Sequence, residues 1–115
     1  MFPGEAIRGG RVVDGDASTL TAITLYPAGS LTARALASSE FLNITSLHIM
    51  VETAGDVLLQ ATADLAIVDA GLPETGGLTH QFDPPFVCPK GLVPKFSWPA
   101  SNKSSCIITG YITKV

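Results

Sequence analysis

From Asn43 to Thr53 the side chains alternate with period two: Thr45, Leu47, Ile49 and Val51 fall on one side, and Ser46, His48, Met50 and Glu52 on the other. That alternation marks a half-buried β-strand, with one face in a core and one in water. Ala54-Gly55-Asp56 is turn chemistry and Val57 to Thr62 is a second run, so residues 43–62 are expected to form a β-hairpin. A similar pair closes the chain. Leu92 to Trp98 places Leu92, Phe96 and Trp98 on one face and Val93, Lys95 and Ser97 on the other. The polar stretch Pro99 to Lys103 then leads into Ser105 to Thr113, and the expectation is a terminal hairpin on which earlier strands pair. Just upstream, Pro84-Pro85 and the turn Cys88-Pro89-Lys90-Gly91 stop one extended segment and redirect the chain, because proline fixes φ and donates no ladder hydrogen bond.

The remaining pattern is also β-like. Thr19 to Tyr26, rich in Thr, Ile and Leu, reads as a strand that ends at the turn Pro27-Ala28-Gly29-Ser30. Leu31 to Phe41 fits either a short helix or a loop. Ala63 to Ala70 suits another short strand, and Gly71 to Gly77, with Pro73, a loop. Glycines between Gly4 and Gly15 exclude a helix and interrupt Arg11-Val12-Val13, which reads as an arm or a loosely held first strand. The organisation expected is an N-terminal arm, residues 1–16, followed by one all-β domain, residues 17–115, with a β-sandwich or jelly-roll-like fold.

Composition adds a pressure toward assembly. In 115 residues, 46% are hydrophobic and only 15% charged, with a mean hydropathy of +0.36. A single small domain with so few charges has little with which to cover its surface, which favours a subunit that buries part of that surface against copies of itself or a larger assembly. The net charge of −3 and the scattered seven Lys and Arg provide no basic stripe for a phosphate backbone, so direct nucleic-acid binding is not expected. The start carries no basic segment leading into an apolar one, and no apolar run reaches spanning length, so neither a secretion signal nor a membrane span is expected. Cys88 and Cys106 are expected as buried thiols, although a terminal hairpin would allow them to face one another.

Motifs that carry chemistry fail on inspection. Asp14-Gly15-Asp16 opens like a calcium loop, but Thr19 stands where the turn glycine is needed and Leu25 where the bidentate acid is needed. Asp69-Ala70-Gly71 lacks the hydroxyl that orients a catalytic aspartate in retropepsin-like proteases. His48 and His80 have no second strong ligand at metal-binding spacing, and neither a Gly-x-Ser-x-Gly elbow nor a phosphate-binding glycine loop is present. Asn43-Ile44-Thr45 and Asn102-Lys103-Ser104 match the glycosylation acceptor by chance. No catalytic residue, cofactor or metal is therefore expected. Phe96 and Trp98, with Phe82 and Phe86 nearby, are either the largest pieces of the core or an aromatic platform for a sugar.

Phe82-Asp83, Phe86, Gly91-Leu92 opening a strand, and the apolar final strand Ile107 to Ile112 containing Tyr111 together resemble a pattern in small all-β virion proteins of tailed bacteriophages. The runs Leu20 to Leu25 and Asn43 to Val51 occupy similar relative places. The resemblance implies a structural role: a head decoration or cement protein, trimeric, made in the host cytoplasm and resident on the phage head, with the major capsid protein as partner. It carries over no catalytic residue. Phe2, Ile7, Arg11, Val12 and Val13 of the expected arm are then the candidate interface residues. The alternatives are a carbohydrate-binding or host-recognition module, resting on Phe96 and Trp98, and a head-to-tail or tail component.

Overall fold

The computed structural model describes residues 4–13, 17–52, 55–72, 76–98 and 104–114, with side chains for residues 4–10, 20–52, 55–71, 76–97 and 104–114. Within these bounds the chain forms β1 (Glu5–Val13), β2 (Ala17–Ala22), β3 (Thr24–Pro27), β4 (Glu40–Val51), β5 (Gly55–Thr62), β6 (Leu65–Leu72), β7 (Gly76–Val87), β8 (Lys95–Trp98) and β9 (Ser104–Lys114). All pairings are antiparallel. A five-stranded sheet has the order β3-β1-β9-β4-β7 and a four-stranded sheet the order β2-β8-β5-β6.

Set β3 aside and the two orders become β1-β9-β4-β7 and β2-β8-β5-β6. This is the eight-strand jelly roll, in which the chain keeps changing sheet between strands that face one another across the core. The short links β4 to β5 and β6 to β7 make those crossings. β3 is the extra piece: after β2 the chain crosses at Ile23, whose N–H donates to the Pro94 carbonyl, and lengthens the larger sheet beyond β1. The all-β sandwich expected from the alternation is thus what the chain forms.

The core lies between the sheets. Leu42, Ile44, Leu47, Ile49 and Val51 of β4 meet Cys106, Ile108 and Ile112 of β9, with Val57 and Leu59 of β5 and Phe96 of β8 opposite. Fully burying one such aliphatic side chain is worth about 1.5–3 kcal/mol. The buried set of β4 changes phase partway, from Leu42 and Ile44 to Leu47, Ile49 and Val51, because the register with β9 slips between Ile44 and Ser46. The bulge adds Thr45 to one strand only, so both halves of β4 turn their apolar side inward.

Several sequence-based expectations are corrected by this topology. β4 and β5 do not form a hairpin, nor do β8 and β9; each pair is split between the sheets. Alternation tells which side of a strand is buried, and facing strands of a sandwich satisfy it as well as hydrogen-bonded neighbours do. The residues expected as an arm at 1–16 contain β1, which pairs with β9 along its whole length and with β3 on its other side. Thr19 to Tyr26 is not one strand but two in different sheets. Leu31 to Ser39 takes the irregular option, tied by the Leu25–Arg34 bridge and by Ser30 Oγ accepting from the Thr32 N–H. Side-chain-to-backbone bonds of that kind compete with helix formation.

Candidate functional site

Residues opposite each other in an antiparallel pair project to the same side, so the register defines what the larger sheet shows outward. One row crosses all five strands: Tyr26, Arg8, Thr109, Ser46 and Gln81. Beside it runs Thr24, Gly10, Ile107, His48 and Thr79, where His48 Nδ1 and Thr79 Oγ1 are 2.7 Å apart. Ser105, Met50 and Gly77 follow on one side, and Ala6, Tyr111, Asn43 and Val87 on the other. Among these residues Arg8 alone carries a fixed charge.

The face also carries exposed apolar residues among exposed polar ones such as Thr24, His48, Thr79, Gln81 and Thr109. Ile107 is 42%, Met50 43% and Val87 53% exposed. Two of them lie across glycines: a Cβ on Gly77 would stand 2.6 Å from Met50 Sδ, and one on Gly10 would stand 3.7 Å from Ile107 Cγ1. Without side chains at these two positions, the large residues lie down over the backbone and the surface stays flat. The outward side of the smaller sheet differs. Asp56, Asp69 and Lys95 project there and are exposed. One face of the sandwich therefore carries charges of both signs, and the rows of the other combine neutral polar groups with exposed apolar ones.

At the β3 side of the larger face, the turn Pro27 to Leu31 rises above the sheet and walls a depression of about 440 Å³. Ala6, Pro27, Ala28 and Leu31 supply its apolar side, and Arg8, Thr45 and Thr109 its polar side. Leu31 is 94% exposed. The bulge brings the three hydroxyls together: Thr45 Oγ1 donates to the Thr109 carbonyl at 3.1 Å, and Ser46 Oγ is hydrogen-bonded to Thr109 Oγ1.

A second polar group closes the end of the core. Arg34 grips Glu40 with two hydrogen bonds, Nη1 to Oε1 at 2.9 Å and Nη2 to Oε2 at 2.6 Å, and reaches Glu5 Oε2 through Nε at 2.7 Å. The Ala37 N–H also donates to Glu40 Oε1, at 2.8 Å. The Arg34 bond first, and the Ala37 N–H second, hold the Glu40 carboxyl at about 2, well below the usual carboxylate range. The same bond to Glu40 raises the Arg34 value. These groups satisfy one another, so the assembly is structural: it fastens the 31–39 loop to β1 and β4.

The residues singled out from sequence are dispersed. Phe2 lies outside the described residues. Ile7 is a core residue at 3% exposure, unavailable as an interface side chain. Arg11, Val12 and Val13 are backbone members of β1, and their side chains lie outside the described ones. Phe96 is fully buried, a correction to its place in a sugar platform, and the Trp98 side chain lies outside the described ones. Phe82 and Phe86, with ring centroids 6.0 Å apart, pack against the core, and His80 meets the edge of Phe82 at 4.6 Å. Cys88 and Cys106 are free and buried. Cys88 sits beside Leu42 and Cys106 opposite Ile49, so about 20 Å of β4 separates thiols whose Cα atoms would need to lie within about 7 Å to be bridged. Among the described residues no three of His, Cys, Asp and Glu gather as a metal site, and no helix is long and apolar enough to cross a membrane.

The exposed apolar set, Met50, Ile107 and Val87, was not singled out from sequence. A signal for part of it exists: Met50 shares the wet side of its strand with His48, where an apolar residue is out of pattern. Comparison of the chain with known protein families, with curated proteins and with solved structures finds no match to any of them.

Proposed function

We propose that this chain is a structural subunit of a bacteriophage particle, a head decoration or cement protein whose larger sheet docks its outward face on the capsid. The observation that carries the reading is the contrast between the two outer faces: Asp56, Asp69 and Lys95 on one, against paired rows on the other in which Arg8 is the one fixed charge and Met50, Ile107 and Val87 are open to solvent. Charge depletion around exposed apolar residues is the compositional mark of an interface centre. The sequence resemblance to phage virion proteins supplies the setting, and the low charge content of the whole chain agrees with a protein that spends surface on contacts.

Area decides how such a subunit must work. Five strands about 4.8 Å apart, crossed by rows spanning eight residues of β4, one of them the bulged Thr45, make a face of roughly 400–450 Å². A stable interface takes about 800 Å² from each partner. One copy therefore binds weakly, and several copies joined together bind well, because the first contact makes the others intramolecular. A trimer with the major capsid protein beneath it meets that requirement. The glycan-binding alternative no longer has Phe96, which lies in the core.

The test is sedimentation of the purified protein with shells of the major capsid protein, with the solution mass measured in parallel by light scattering. Met50→Ser with Ile107→Ser should reduce shell occupancy while the circular dichroism of the β-sandwich is retained. Closing the remaining exposure of the two side chains is worth about 0.6–1.3 kcal/mol each, so a loss of roughly ten- to a hundredfold in affinity per copy is expected. A wild-type chain that is monomeric and never cosediments would overturn the proposal. Removal of residues 1–16 is not a test of contacts, because it takes out a strand from inside the sheet.

A further inference from the structure

We propose that the depression beside Arg8 is a receptor for a carboxylate side chain, Asp or Glu, presented by the protein on which the face docks; the identity of that presenter rests on the docking reading above. Arg8 projects from the polar row, between Tyr26 and Thr109, and forms no ion pair among the described residues. Arg34, by contrast, is fully engaged by Glu5 and Glu40. In rows that hold no other fixed charge, an unpaired guanidinium gains when a partner covers it only if the partner brings an anion, since a covered, unpaired charge is costly.

The neighbouring groups are donors as well. Thr45, Ser46 and Thr109 have three hydroxyl hydrogens among them. The Thr45 hydrogen goes to the Thr109 carbonyl, and one more spans the Ser46–Thr109 contact. With Ser46 donating across that contact, the Thr109 hydrogen is shared between Thr45 Oγ1, 3.5 Å away, and the depression that Thr109 lines with the guanidinium, where an acceptor with several lone pairs can take both donors. The other side, formed by Ala6, Pro27, Ala28 and Leu31, suits a short aliphatic stem. A carboxylate on one or two methylenes has both properties, and its charge complements Arg8.

The experiment has two arms. In the first, the ¹⁵N-labelled wild-type chain is titrated with acetyl-Glu-amide, with acetyl-Gln-amide as its neutral counterpart. Saturable shifts are expected at the amides of Arg8, Thr109 and Gly110 with the acid alone, weakened by salt and by at least about tenfold in Arg8→Gln. Absence of saturation, or equal response to the neutral amide or in Arg8→Gln, overturns the receptor. Sodium glucuronate is titrated as well, and tighter binding of the sugar acid than of acetyl-Glu-amide overturns a protein source for the carboxylate. In the second arm, Arg8→Gln and Arg8→Glu are sedimented with capsid shells, and both should lose occupancy, the reversed charge more than the neutral one. Acid binding by a chain that ignores shells would sink the docking reading alone. Shell binding that is lost in the Met50→Ser, Ile107→Ser variant but unchanged in Arg8→Glu would sink the receptor alone.

Discussion

Gly110→Ala should be among the most damaging single-methyl additions the chain can receive. Gly110 is buried on β9, between Ile7 of β1 and Ile44 of β4. A Cβ there would stand 1.9 Å from the Asn43 carbonyl oxygen, 2.9 Å from its carbon and 3.2 Å from Ile44 Cα. All three are backbone atoms of the strand at the centre of the core, so no rotamer change relieves them. β4 and β9 would have to part by roughly 1 Å, which carries ladder bonds beyond the range where N–H···O contacts hold. Losing two such bonds, with their groups left buried and unpaired at about 1–3 kcal/mol each, amounts to about 2–6 kcal/mol. That is a large part of the ~5–15 kcal/mol by which domains of this kind are stable. Gly76→Ala is the matched control, since nothing lies within 4 Å of its Cβ position. It should be neutral or stabilising by up to about 1 kcal/mol. Urea unfolding followed by circular dichroism reads both, and with slopes of about 1–3 kcal/mol/M the Gly110→Ala midpoint should fall by at least about 0.7 M or the variant should fail to fold. A Gly110→Ala protein within about 0.5 kcal/mol of wild type would refute the packing argument and the register that places Gly110 against Asn43.

Two further outcomes follow from the buried titratable groups. Glu40 has a folded-state value of about 2 against an ordinary 4.5 because Arg34 and the Ala37 N–H bond its charged form. Its stabilising contribution is thus complete above the ordinary value and disappears as pH falls from there toward 2. The stability gap between wild type and Glu40→Gln, measured by urea unfolding across pH, should be constant near neutrality and narrow through that acid window; a gap that widens on acidification would contradict the assignment. Burial pushes the Cys88 and Cys106 thiols up to about 12. The native protein should accordingly resist Ellman's reagent at mildly alkaline pH and release two equivalents only on unfolding, and oxidants should not link the pair.

How much of this was legible before folding depends on what each residue pattern encodes. Leu47, Ile49 and Val51 announce a strand and its buried side, and they occupy that side. The same pattern has no information on pairing partners, so both expected hairpins resolved into crossings between sheets. Leu42 and Ile44 also carry a readable signal: they are out of phase with Leu47, and a one-residue bulge is what reconciles them. The glycines of β1 suggested looseness, yet Gly9 is buried where a Cβ would come within 2.8 Å of Leu25 Cδ2. There glycine serves close packing between β1 and β3, and sequence alone does not separate that use from flexibility. Arg34 lies in an irregular loop and Glu40, six residues on, opens β4, a spacing with no periodic meaning, which is why their ion pair was invisible.

The bulge at Thr45 joins fold and proposed function. Without it, Ser46 and His48 would share a side with Leu42 and Ile44, and β4 would put either polar groups in the core or leucine and isoleucine in water. With it, the core side stays apolar from Leu42 to Val51. The inserted residue must leave the ladder somewhere, and it leaves toward the outer face, where Thr45 and Ser46 both meet Thr109. Three hydroxyls then gather near Arg8, which pairs with Thr109 from β1, and a donor-rich spot appears in rows otherwise without fixed charge. Bulges commonly re-aim side chains where a strand has work beyond pairing. On the far side β7 departs from β4 at the same level: Gln81 pairs with Ser46 and Phe86 with Ile44, so residues 82–85 of β7 are set against Thr45 alone. Both neighbours of β4 thus accommodate one inserted threonine, and the shape of the proposed docking face depends on that insertion as much as on the residues exposed there.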